Sequence, residues 1–87
     1  MRITKHTQDK LQDILKALGY QIRYEKGTFQ GGYCLVMDRK LIMINKFHPQ
    51  ESKINLLIDI VRKVEIEAEL LEPEQLKLVE TLKQQQT

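Results

Sequence analysis

YCLVMDRKLIMIN, residues 33–45, is the stretch on which the fold turns. Two short runs rich in Val, Ile, Leu and Met flank the polar triplet Asp38-Arg39-Lys40, the pattern of two strands joined by a hairpin turn. In YCLVMD (33–38), Tyr33, Leu35 and Met37 point to one side and Cys34 and Val36 to the other. In LIMIN (41–45), Leu41 and Met43 oppose Ile42 and Ile44. Both strands are apolar on both faces, and a strand of that kind needs cover on each side.

Reading toward the N-terminus, QIRYE (21–25) alternates Ile22 and Tyr24 with Gln21, Arg23 and Glu25, a strand with one wet face. Lys26-Gly27 and Gly31-Gly32 are turn signals, with Phe29 between them and room there for a fourth strand. Earlier still, Leu11, Ile14, Leu15 and Leu18 recur at helical spacing. Thr7 is the expected N-cap and Gly19 the left-handed residue that ends this helix.

Toward the C-terminus, His48, Pro49 and Glu51 fit the N-cap, N1 and N3 positions of a second helix. Its stripe is Ile54, Leu57, Ile58, Val61 and Val64, widened by Leu56 and Ile60, so it is expected to be the central buried helix. VEIEAEL (64–70) alternates strictly, but its Glu and Ala content favours continued helix. Glu72-Pro73 ends that segment, and Pro73 opens a last helix with Leu76, Val79 and Leu82 inward. The expected fold class is α+β: a three-stranded antiparallel sheet with helices, in the order α-β-β-β-α-α. Residues 1–83 make one small domain and 84–87 a polar tail.

Composition agrees with this reading. The chain has 87 residues, 41% hydrophobic and 30% charged, too apolar for disorder throughout. No apolar run approaches the length of a membrane span, and the start, MRITKHTQDK, has no signal-peptide core, so a cytoplasmic protein is expected. The single Cys34 excludes an internal disulfide. The net charge of +2 conceals two unlike parts. Residues 1–46 carry nine Lys/Arg against four Asp/Glu, and residues 47–87 carry five against eight. Such asymmetry marks a basic face for an acidic partner.

Candidates for chemistry are sparse. His6, His48 and Cys34 stand at no metal-ligand spacing, so neither a metal nor any other cofactor is expected. Cys34 lies among apolar neighbours, the setting of a small core residue rather than of a reactive thiolate. The glycines of GTFQGG (27–32) stand between strands and not before a helix, so a hairpin or bulge explains them better than a phosphate cradle. The glutamates 65, 67, 69, 72 and 74 read as a solvated face. Basic Arg23, Lys26, Arg39, Lys40 and Lys46 cluster around the strands, with Tyr20, Tyr24, Phe29 and Tyr33 near in sequence. Charge and aromatic rings on a sheet are what single-stranded nucleic acid uses.

Residues 41–73 show one family resemblance. LIMIN, a Pro-containing loop, an apolar helix, then Glu67-Ala68 and Leu70-Leu71-Glu72-Pro73 resemble the core of the ImmA/IrrE-type zinc metallopeptidases. That family runs from an I-x-x-N strand into a helix carrying H-E-x-x-H, and later has an E-A-containing helix ending near LL-x-P. Where H-E-x-x-H would stand, this chain has Asp59-Ile60-Val61-Arg62-Lys63, so neither zinc ligands nor general base carry over. The resemblance implies a catalytically dead remnant with a scaffold or binding role.

The expected function is therefore a small non-catalytic binding or regulatory module. It would act through a protein partner or a second copy of itself, with Val36, Ile42 and Ile44, or the opposite set Leu35, Met37 and Met43, at the interface. The alternative is a nucleic-acid-binding domain using Arg23, Lys26, Arg39, Lys40 and Lys46. An enzyme would need an acid–base or nucleophile pair assembled only by folding.

Overall fold

A computed structural model describes residues 2–26 and 33–84 of the chain. Phe29, the GTFQGG stretch and most of the polar tail lie outside the described residues. Three helices and three strands follow one another as α1 (Lys5–Ala17), β1 (Gln21–Glu25), β2 (Tyr33–Val36), β3 (Leu41–Asn45), α2 (Gln50–Lys63) and α3 (Pro73–Gln84). The α+β class and the order of elements are as expected.

The sheet departs from expectation in topology. Its spatial order is β1-β3-β2, and it is mixed: β2 pairs antiparallel with β3, but β1 pairs parallel with it. The hairpin between β2 and β3 was visible in the sequence. That β1 and β2, consecutive in the sequence, lie on opposite sides of β3 was not, because strand order leaves no mark on alternation. No fourth strand occurs among the described residues.

Helix α1 begins earlier than its apolar stripe suggests. Thr4, not Thr7, is the N-cap, and its Oγ1 accepts the Thr7 amide at 3.1 Å. The C-terminus closes as expected on Gly19, which has φ +96°. The Gly19 amide donates to the Lys16 carbonyl and the Tyr20 amide to the Leu15 carbonyl, the paired bonds of a Schellman ending. In α2 the boundary shifts by one residue: Pro49 is the N-cap and Gln50 the first helical position.

Helix α2 ends at Lys63, and 64–70 is not helical. Val64 takes an extended conformation with ψ 156°, and only Ala68–Leu70 form a short 3-10 turn before α3. The alternation outweighs propensity here, because Val64, Ile66 and Leu71 can all turn toward the core from an extended chain. Residues 37–39, expected as strand end and turn, likewise form a 3-10 turn closed by Lys40 at φ 49°.

All three helices pack on one face of the sheet. The core joins Leu11, Ile14, Leu15 and Leu18 of the first helical segment to Ile54, Leu57, Ile60 and Val61 of α2, Val79 and Leu82 of α3, and Ile42 and Ile44 of β3. Ile22, Tyr24, Tyr33 and Leu35 pack against that cluster from the flanking strands. The pairings Ile22–Ile42–Leu35 and Tyr24–Ile44–Tyr33 set these six residues on the same side. No helix among the described residues is long and apolar enough to cross a membrane.

Candidate functional site

The other face of the sheet carries the remaining strand residues. Register places Gln21, Leu41 and Val36 in one row, Arg23, Met43 and Cys34 in the next, and Glu25 beside Asn45 in the last. Leu41, Met43, Cys34 and Val36 form an apolar strip over β3 and β2. All four are half-buried, and none belongs to the core or packs against it among the described residues. Arg23 lies along the strip on β1, its guanidinium 2.7 Å from the Glu25 carboxylate. Met37, in the turn just past the end of β2, is 55% exposed.

This arrangement splits the interface residues expected from sequence. Val36 is on the open face. Ile42 and Ile44 are fully buried on the opposite one and cannot meet a partner. They had been grouped with Val36, but the antiparallel register pairs Val36 with Leu41, whose side chain leaves β3 on the other side from Ile42. The alternative set divides as well: Met43 is on the open face, Leu35 faces the helices, and Met37 sits in the turn.

The expected nucleic-acid contacts do not converge. Arg23 is on the open face, whereas Arg39 and Lys40 lie at one end of the sheet and Lys26 and Lys46 at the other. Lys40 is committed elsewhere. Its ammonium donates to the Leu18 carbonyl at 3.0 Å, lies 5.5 Å from the Tyr20 ring centroid and 4.0 Å from the Glu67 carboxylate. It caps α1 and ties the hairpin turn to the segment after α2. Tyr20, Tyr24 and Tyr33 all belong to the core side, so the open face offers no ring for base stacking among the described residues.

Two polar clusters flank the core-facing sheet, each built around one tyrosine. On the β2 side, Lys63 donates to the Tyr33 hydroxyl at 2.7 Å, and that hydroxyl donates to Asp59 Oδ2 at 2.8 Å. Lys63 and Asp59 also pair directly at 3.1 Å across one turn of α2. The Tyr33 hydrogen bond holds the Asp59 carboxyl below its ordinary value, with Lys63 helping and partial burial opposing. Tyr33 and Asp59 in turn raise the Lys63 ammonium. On the β1 side, Gln8 donates to the Tyr24 hydroxyl at 3.1 Å, and the hydroxyl donates to Gln12. Gln50 donates to Gln8 at 3.3 Å, joining α2 to this amide network. Burial raises the Tyr24 phenol. Lys53 and Lys63 of α2 lie over the Tyr24 and Tyr33 rings at 5.2 and 5.4 Å from the centroids. The two clusters pin opposite ends of α2 across the sheet.

The Tyr33–Asp59–Lys63 cluster was missed in the sequence, although the Asp59/Lys63 spacing of i, i+4 was there to be read as an ion pair. What the sequence lacked was any sign that β2 runs beside α2. Chemically the cluster is self-satisfied. Each charge already has a partner, and Lys63 and Asp59 are largely open to water.

A groove of about 450 Å³ lies between α1 and the start of α3, lined by Thr7, Lys10, Asp13, Ile14, Glu72, Glu74, Gln75 and Leu78. Gln75 closes it at one end by accepting the Glu72 amide at 2.8 Å, a helix-capping contact. No group of three or more His, Cys, Asp or Glu among the described residues could hold a metal ion. Comparison with protein-family models, with curated proteins and with solved structures returns no match.

Proposed function

We propose that this chain is a non-catalytic binding or regulatory module whose working surface is the open sheet face of Leu41, Met43, Cys34 and Val36. One observation carries the reading: all three helices cover the same side of a sheet whose strands β2 and β3 are apolar on both sides. A helix layer on one face leaves the apolar strip of the other without a helix over it among the described residues, and apolar surface of that kind marks interaction sites. A protein partner fits it better than nucleic acid, because the tyrosines face inward and Lys40 is engaged in the fold.

The likeness to the ImmA/IrrE-type metallopeptidases is compatible with such a role. In that alignment Asp59 and Lys63 stand where the two histidines would be, and in this fold they bond each other and Tyr33. A remnant of that kind would keep the scaffold with a salt bridge where the metal chemistry had been. The segment at Glu67-Ala68 departs from the family pattern, being a 3-10 turn rather than part of a helix.

The test is a titration with an apolar fluorescent dye, anilinonaphthalene sulfonate, on the full chain and on Met43→Glu. Dye binding that Met43→Glu abolishes while keeping the wild-type circular dichroism spectrum supports the open face as a docking surface. A wild-type chain that binds no dye overturns it. A parallel titration with a single-stranded oligonucleotide at low salt separates the alternative: binding that falls steeply as salt rises would move the reading to nucleic acid.

A further inference from the structure

We infer that β2 is the joint between two copies of this chain, pairing with its own symmetry mate to make one six-stranded sheet. The inference is independent of what the open face binds.

The two edges of the sheet differ. β1 carries Arg23 and Glu25, and charged side chains on an edge strand discourage pairing with another chain. β2 carries Tyr33, Cys34, Leu35 and Val36 and no charge, although among the described residues it pairs only with β3. Its outer row of backbone donors and acceptors is a template on which an extended strand can pair in place of water.

The surroundings of that edge fit a second copy. Above β2 on the helix side, Leu56, Asp59 and Lys63 share a flank of α2 at i, i+3 and i+7, and contacts from Asp59 and Lys63 to Tyr33 fix that flank over β2. A two-fold interface brings the same patch against itself, so the patch must be self-complementary. This one is: it holds one acid and one base a helical turn apart, paired within the copy but both about half open to water, so that the ion pair can extend across the two-fold to Lys63 and Asp59 of the other copy, with half-buried Leu56 beside it.

Symmetry also restricts the register. A two-fold normal to the sheet keeps both helix layers on the same side and requires residues of equal parity to oppose one another. Cys34 then lies opposite its own mate, or opposite Val36 of the other copy. Either way the two thiols share a face, about 5 to 8 Å apart between Cβ atoms. The two open faces become one continuous surface.

The experiment uses the full chain. Sedimentation equilibrium from micromolar to millimolar concentration is expected to give twice the 10.3 kDa chain mass. Val36→Lys, which puts a charge on the edge, should return it to the monomer, whereas Met43→Lys on the central strand should leave the dimer intact. Because Cys34 is the only cysteine, a short bismaleimide should join the wild-type copies in high yield, which keeps the inference testable if Val36→Lys fails to fold. A monomer at every concentration, or no cross-link, overturns the edge joint and leaves the open face free for another partner. Dissociation by Met43→Lys overturns it too and places the contact between open faces.

Discussion

Among the described residues β3 is the one strand with a neighbour on each side, and its two faces can be compared within five residues. Ile42 and Ile44 look toward the helices and are fully buried. Leu41 and Met43 look the other way and stay half-exposed, with no helix above them. The side chains are of similar size and apolarity. What separates them is where the chain spends its three helices. Hydrophobicity of a position states a demand for cover; the fold decides which demands are met within the molecule.

The sharpest break of this comparison is Ile44→Ala. Removing a fully buried side chain costs the lost transfer energy and leaves a cavity, about 2–5 kcal/mol in all. A urea unfolding midpoint should fall accordingly, and a loss under 1 kcal/mol, read the same way, would show that Ile44 is less central than its burial implies. Lys40→Met comes next. It removes the contact to the Leu18 carbonyl and the charge beside Glu67 but keeps the aliphatic stem, and the expected loss is about 1 kcal/mol. Gly19→Ala should cost a similar amount, about 1 kcal/mol, because φ +96° is closed to residues with a Cβ. Lys40 itself holds φ 49°, so in Lys40→Gly the relief of the backbone should offset part of the loss of the stem and its contacts.

Smaller effects separate the tyrosine clusters by pH. Asp59 is held below its ordinary value of 3.8, so its contribution is present above that pH and is lost as pH falls through the folded value. Solvent screening keeps it to a fraction of a kcal/mol. Tyr33→Phe removes the first cause of that shift and should flatten the acid limb of a stability–pH curve. Tyr24 is raised above 10.0, so stability it lends is present below pH 10 and is lost as pH rises through the folded value. Tyr24→Phe should therefore change the alkaline limb and leave the acid limb alone. The smallest effect expected is that of Met43→Ala, which lies on the open face and should stay within about 0.5 kcal/mol of wild type. A loss as large as that of Ile44→Ala would mean that the open face is covered.

Much of this was legible in the residues. The stripe from Leu11 to Leu18, the hairpin strands around Asp38-Arg39-Lys40, the Gly19 ending and the Pro73 start each rest on local chemistry, and each appears in the fold. Local chemistry does not encode which strand lies in the middle. The parallel pairing of β1 with β3 and the division of Val36 from Ile42 and Ile44 follow from that placement. The same holds for Lys40. As a turn lysine it reads as a solvent-exposed charge available to a ligand, and only the approach of α1's end gives it a carbonyl to cap. The 64–70 segment was ambiguous for a different reason: propensity and alternation pointed opposite ways, and the packing of Ile66 and Leu71 against the core goes with the non-helical chain.

The parallel pairing has a consequence in time. β2 and β3 meet across a tight turn, Val36 opposite Leu41, and can associate as soon as the chain bends there. β1 meets β3 only across a longer sequence separation, Gln21 opposite Leu41. Closing the longer loop costs more chain entropy before any contact rewards it. The hairpin is thus expected to form early in folding and β1 to dock later. Substitutions in β1 should act mainly on how fast the native state opens, and those in the hairpin on how fast it forms.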